Sequence, residues 1–158
     1  MIDYKIIKNL NVVEIQKYQQ NRHPILFIDY VDEIIVGKTA KGYKHFTYNE
    51  WFFPSHFPDD PNVPGFIQVE ALTQMFLMTF LSYDENKGKK TSFISIKDAR
   101  FKKKVVPGKT LSIIAELDSF RRGVAKGRAK GLVDNELACS IELQVAIPDI
   151  LNEFIPIK

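Results

Sequence analysis

Three features of this 158-residue chain could carry chemistry. His56 sits between Ser55 and Phe57 in an aromatic, proline-rich stretch, Pro64-Gly65 follows, and Glu70 lies fourteen residues after the histidine, with Gln74 four further on. Imidazole is a base near neutral pH. A carboxyl group among apolar neighbours has a raised pKa, because burial disfavours its charged form. Pro64-Gly65 opens a helical segment, and the first amides of a helix lack intrahelical partners and can hold a developing oxyanion. Base, acid and oxyanion site are the groups needed to make an enolate and collapse it. Each feature also has a plainer reading. A lone histidine is ordinarily structural or exposed. A Glu at a helix start can face solvent and be favoured there by the helix dipole.

The elements that must position these groups are legible in part. Residues 49–65 hold four of the eight prolines and four aromatics. Proline fixes φ and removes a donor, so the stretch is a stiff loop rather than a central strand or a helix interior, one expected to pack over a site. Residues 66–84 contain no Pro or Gly and are apolar on almost every face. A helix of that kind is buried or membrane-spanning. Gln68, Glu70, Thr73, Gln74, Thr79 and Ser82 would sit in lipid, so a buried central helix over about residues 65–83 is expected and no membrane insertion.

On both sides of this helix the period changes to two. Residues 25–36 and 39–47 read as strands joined at Gly37-Lys38, and four more runs follow residue 90. Ala125, Gly127, Ala129 and Gly131 alternate with Lys126, Arg128 and Lys130, giving a small packed face and a basic outer one. Pro107-Gly108 and Asp134-Asn135 mark turns. Asn11 and Glu14 form a capping-box pattern, so a short helix at about 12–19 is expected in an N-terminal helical segment, residues 1–20. Residues 148–158 read as a short tail. The expectation is one α+β domain over residues 1–158, a long antiparallel sheet of five to seven strands burying one helix.

Composition narrows the function classes. One cysteine, Cys139, excludes an internal disulfide framework and a cysteine-rich zinc module; it reads as a packed small hydrophobe in a strand. Three histidines without ligand spacing argue against a metal site, and His23 and His45 read as surface or strand positions. Trp51 is expected to fill the core under the aromatic loop. The N-terminus lacks the apolar run of a secretory signal, so the default compartment is the cytoplasm. Net charge is +3, yet residues 47–86 carry six acids and no Lys or Arg, while residues 87–130 carry fourteen Lys/Arg against three acids. Such a field can steer an acidic partner or can be a solvated face. Nucleic acid is not favoured, because the aromatics that would stack on bases cluster in the acidic stretch.

His56-Phe57-Pro58, Pro64-Gly65 and Glu70-Ala71-Leu72 with Gln74 resemble the signature of the 3-hydroxyacyl-acyl-carrier-protein dehydratases of the hot-dog superfamily, including its fourteen-residue His-to-Glu spacing. Arg22, Pro24 and Asp29 resemble the opening of that family. Phe101, Lys102 and Val105 to Gly108 resemble its F-K-x-x-V-x-P-G, and Arg121-Arg122-Gly123 its K-x-R-G; the resemblance covers about residues 20–146. It implies a hot-dog fold, no metal and no cofactor. It further implies homodimers with shared active sites, open to assembly as a trimer of dimers. It implies His56 as base, Glu70 as acid and the Gly65 amide as oxyanion donor, with Phe57, Pro64 and Gln74 supporting them. An acyl carrier protein would be the partner, docking on Arg100, Lys102, Lys103, Lys104, Arg121 and Arg122. The sequence departs from the family pattern at Ser55, Asp59-Asp60, Asn21, Thr73, Ser92 and Lys97, which leaves tunnel shape and substrate length open. A hot-dog acyl thioesterase and a non-catalytic acyl-binding module are the alternatives.

Overall fold

The computed structural model describes residues 3–156. In chain order its elements are β1 (Ile6–Leu10), α1 (Val12–Ile15), β2 (Tyr30–Ile35), β3 (Thr39–Phe46), α2 (Gly65–Leu81), β4 (Ser92–Phe101), β5 (Lys109–Arg121), β6 (Val124–Val133), β7 (Glu136–Ala146) and α3 (Pro148–Leu151). The strands form one antiparallel sheet in the order β1-β2-β3-β5-β6-β7-β4. The sheet wraps α2, which packs on β2, β3, β5, β6 and β7.

Small residues on the inner face let the helix lie close. Ala125, Gly127 and Ala129 of β6 face inward and alternate with exposed Lys126, Arg128 and Lys130, as the sequence pattern predicts. A Cβ on Gly127 would lie 2.5 Å from the Phe76 ring, so α2 can approach only where this side chain is missing. Thirteen of the seventeen residues of α2 are buried, which is why its apolar residues have no polar face to leave. The buried hydroxyls of Thr73 and Thr79 donate back to carbonyls within the helix. Asp134 and Asn135 both have positive φ, and the β6–β7 hairpin closes through them with Val133 opposite Glu136.

The structure corrects four expectations. Residues 6–10 are a strand paired with β2, and the expected N-terminal helix shrinks to one turn. The capping box at Asn11 is present, but past Ile15 the backbone tightens, with the Lys17 amide on the Glu14 carbonyl and the Tyr18 amide on the Ile15 carbonyl, and Arg22 donates to the carbonyls of Gln16 and Gln19 beyond the helix. The strand expected from residue 25 begins at Tyr30, because the backbone at Ile25 and Phe27 bonds to the Gln74 side chain instead of a neighbouring strand. α2 stops at Leu81 rather than 83. Trp51 is 53% exposed, and the core under the loop is filled by its neighbours Phe52 and Phe53. The tail holds α3 and a 3-10 turn at Asn152–Phe154. Cys139 is buried and its thiol is pushed up to about 12 by desolvation, consistent with a packing role.

Candidate active site

The aromatic loop is anchored from below. Lys44 on β3 is buried, with its ammonium 2.6 Å from Glu50 and 3.3 Å from Asp29. Asp29 also accepts the His45 amide at 2.7 Å. A buried lysine needs such partners, and here they tie the start of the loop to the sheet. A 3-10 turn at Phe53–Ser55 then delivers His56.

The histidine is held at two points by Asn62. Its Nδ1 lies 2.9 Å from the Asn62 carbonyl oxygen, and its own carbonyl accepts the Asn62 amide at 2.8 Å. A carbonyl only accepts, so Nδ1 carries a proton, and in the neutral ring the lone pair is on Nε2. Phe57 is half exposed and stacks on the His56 ring, with centroids 4.3 Å apart. The loop is fastened at its far end by the Val63 amide on the Val105 carbonyl.

Pro64 is the N-cap of α2, and its carbonyl takes the Ile67 and Gln68 amides. The Gly65 amide has no hydrogen-bond partner among the described residues. A Cβ on Gly65 would lie 3.1 Å from the Phe101 ring, so glycine lets that ring cover the helix start.

Glu70 follows one turn later, half-buried. Burial pushes its carboxyl above the ordinary carboxylate range, and a hydrogen bond from Gln74 Nε2 at 2.8 Å opposes the shift without cancelling it. The carboxyl lines a cleft of about 780 Å³ whose other walls are apolar, among them Ile25, Phe27, Trp51, Phe66, Ile96 and Phe101. A second hollow of about 450 Å³ shares Gly65 and Phe101 with this cleft and is rimmed by Lys102, Lys103 and Lys104.

The structure therefore brings Gly65, Glu70 and Gln74 together and places Lys102 to Lys104 beside them. His56 does not line the Glu70 cleft of its own chain. Arg100, Arg121 and Arg122 line neither hollow. Arg100 pairs with Asp98 at 2.9 Å, and Arg122 lies over the Phe154 ring. Lys103 pairs with Glu136 and Lys104 with Asp60. Among the described residues no cluster of three His, Cys, Asp or Glu is placed to hold a metal, and no helix is long and apolar enough to cross a membrane. Sequence reasoning missed three participants: Asn62, which sets the histidine tautomer; Trp51, which faces the cleft; and β4. All ten residues of β4 are exposed, including Phe93, Ile94, Ile96 and Phe101, although the strand pairs with β7 along one side. Four large apolar residues on one edge strand were the available signal.

A seven-stranded antiparallel sheet wrapped on one buried helix, with an acid on that helix at the mouth of an apolar cleft, defines a hot-dog protein. Residues 20–142 match the family of FabA-like domains. The chain is 44% identical over 138 residues, 87% of its length, to the 3-hydroxyacyl-[acyl-carrier-protein] dehydratase FabZ of Clostridioides difficile, covering 97% of that protein. It is 42% identical over the same shares of both chains to FabZ of Clostridium novyi. The chain belongs to this family, the 3-hydroxyacyl-[acyl-carrier-protein] dehydratases with a FabA-like domain. Among solved structures, the dehydratase heterocomplex ApeI:P from Xenorhabdus doucetiae shares the fold, with a TM-score of 0.74 at 12% identity over 90% of this chain and 97% of that one.

Proposed function

We propose that this chain is a hydro-lyase that removes water from 3-hydroxyacyl groups carried on acyl carrier protein, giving the trans-2-enoyl thioester in fatty acid or related acyl-chain biosynthesis. The observation that carries the reading is Glu70: a carboxyl whose protonated form is favoured by burial, near a free helix-start amide and facing an apolar cleft. A thioesterase needs an ionised carboxylate or another group to activate water, which is the opposite demand.

The chemistry follows from the groups. His56 Nε2 takes the C2 proton, and the electron pair passes toward the thioester carbonyl, whose oxygen is held by the Gly65 amide. As this enolate collapses, the C2–C3 double bond forms and the C3–O bond breaks. The departing hydroxyl takes the Glu70 proton and leaves as water. His56 is then protonated and Glu70 ionised, and a proton passed between them through water restores both.

Within one protomer the base is not in the cleft of the acid, so the reading includes a homodimer. Exposed β4 joins its counterpart edge to edge, and the His56 of the partner subunit completes each cleft. A ten-residue edge strand paired only on its β7 side and exposing Phe93, Ile94, Ile96 and Phe101 is a surface that folded proteins normally cover. The lysine-rimmed hollow would take the polar arm of the carrier, and Lys102, Lys103 and Lys104 would meet its acidic surface. The setting is the cytoplasm, where a lone buried thiol is stable.

The test is enoyl-thioester absorbance with 3-hydroxyacyl-carrier-protein substrates of graded chain length. Enoyl product on the carrier is expected. Release of free acid and thiol would assign a thioesterase, and binding without turnover an acyl-binding module.

A further inference from the structure

Gln74 is fully buried and its amide has one possible orientation. Its Oε1 accepts the Phe27 amide at 2.6 Å, and its Nε2 donates to the Ile25 carbonyl at 2.7 Å. A backbone N–H can only donate and a carbonyl can only accept, so flipping the amide would break both bonds. The remaining Nε2 hydrogen goes to Glu70 Oε1 at 2.8 Å. Oε1 thus always faces a donor. Glu70 Oε2 has no hydrogen-bond partner among the described residues, nor is it one of the buried unpartnered atoms, so it is the oxygen open to the cleft.

A neutral carboxyl has one good acceptor oxygen and one O–H donor. The oxygen facing the Gln74 N–H must be the acceptor. We propose that Gln74 is a positioning residue that fixes the Glu70 proton on Oε2, and so selects the oxygen from which it reaches the substrate. The inference rests on the dehydratase reading for its consequence in turnover. There, the Oε2–H bond breaks as the proton joins the 3-hydroxyl, water leaves, and Glu70 becomes a carboxylate whose Oε1 already accepts a hydrogen bond. A bond to a developing charge strengthens as the charge grows.

Among the described residues no other charged side chain lines this cleft. The groups that face Glu70 across the cleft are uncharged: Ile25 and Phe27 from the segment before β2, Trp51 from the loop, Phe93, Ile96 and Phe101 from β4. The proposed dimer adds the His56 of the partner subunit. Ile25 and Phe27 are also the residues whose backbone clamps Gln74, so one segment both walls the cleft and orients the acid.

The test uses Gln74→Glu, which keeps the shape but cannot hold the Ile25 carbonyl and Glu70 Oε1 together as a donor. Gln74→Met, which removes all three bonds, is the second variant. Isotope-edited infrared spectra of the free protein, with Glu70→Gln subtracted, read the Glu70 C=O stretch while the group is neutral. The band should lie low in the wild type, because its C=O oxygen accepts a hydrogen bond, and move up in Gln74→Met. In turnover, kcat should fall by about 10- to 100-fold, the range for one hydrogen bond to a charged group. KM should stay nearly constant, and the high-pH limb of the kcat profile should move to higher pH, because a donor to the carboxylate has been removed. An unmoved infrared band overturns the inference. A lower kcat with an unmoved limb makes Gln74 merely structural and overturns it too. If the wild type dehydrates no 3-hydroxyacyl thioester, the dehydratase reading fails, while the infrared band still decides where the proton sits.

Discussion

Mixing two inactive variants is the sharpest probe of how the site is assembled. His56 is fastened to Asn62 outside the Glu70 cleft, and that cleft is open along the exposed strand β4. If each cleft borrows the histidine of its neighbour, a dimer of His56→Ala with Glu70→Gln contains one site with both native residues and one with neither. Random exchange between equal amounts of the two variants makes about half of the symmetric dimers mixed, and so restores about a quarter of all sites. The expected rate is therefore about a quarter of wild type, against a background about 10²-fold lower in either variant alone, the scale of general acid–base catalysis. Exchange must be confirmed separately, by tagging one variant and following mixed dimers with native mass spectrometry. The assay is enoyl-thioester absorbance after incubation in mild denaturant and its removal. Mixed dimers without recovered activity would place both residues in one chain and refute the shared site. Recovery above a half, the ceiling if every dimer were mixed, would show that one variant was never inactive, which would refute the assigned roles.

Four other outcomes are expected. His56→Ala and Glu70→Gln each lower kcat by at least about 10²-fold while circular dichroism stays native, and near-normal turnover in either would remove that residue from the chemistry. Glu70→Gln should also change stability with pH: folding raises the Glu70 pKa, so wild-type stability falls as pH rises from the unfolded value through the folded one. The variant should therefore melt above wild type at about pH 8 and level with it at about pH 4, near the unfolded carboxylate value, and equal melting at both pH values would contradict a buried acid. Trp51→Ala should shift the kcat/KM optimum to longer acyl chains with stability within about 0.5 kcal/mol, since the ring is exposed in the cleft wall; an unchanged chain-length profile would show that it does not bound the chain. Reversing Lys102 and Lys104 to Glu should raise KM for carrier-bound substrates, more so at low salt, and spare a pantetheine thioester, whereas reversing Arg121 and Arg122 should do less because they line neither hollow; the opposite ranking would move the docking surface to the β5–β6 hairpin.

Much of the fold is legible because its elements repeat a local rule. The alternation of Ala125, Gly127 and Ala129 with Lys126, Arg128 and Lys130 states which face of β6 is inside, and the burial follows it residue by residue. The Asp134-Asn135 turn is likewise local chemistry, two residues that tolerate positive φ. What fails is where tertiary partners override local pattern. Residues 25–29 have the composition of a strand, yet Ile25 and Phe27 give their backbone to a side chain 49 and 47 positions away. Residues 16–19 can continue a helix, yet the Lys17 and Tyr18 amides tighten onto Glu14 and Ile15, and Arg22 folds back on the carbonyls of Gln16 and Gln19. Neither contact has a signature in the window that a periodicity argument reads.

The site divides along the same line. Glu70 is visible because an acid stands out in an apolar helix, and desolvation then raises its pKa whatever covers it. Gln74 is visible as its neighbour one turn on. Trp51 misleads because composition ranks a tryptophan as core, and only the packing of Phe52 and Phe53 shows that the core was already full. The histidine is harder still. Its tautomer depends on a backbone carbonyl, that of Asn62, and every residue type supplies one. In the proposed dimer its distance from the acid would depend on a second copy of the chain, to which the sequence points only through the apolar residues of β4. Residue types therefore announce which groups can exchange protons. Backbone and side-chain partners from distant segments decide which atom carries each proton, and in the proposed dimer the neighbouring subunit decides whether the two groups meet.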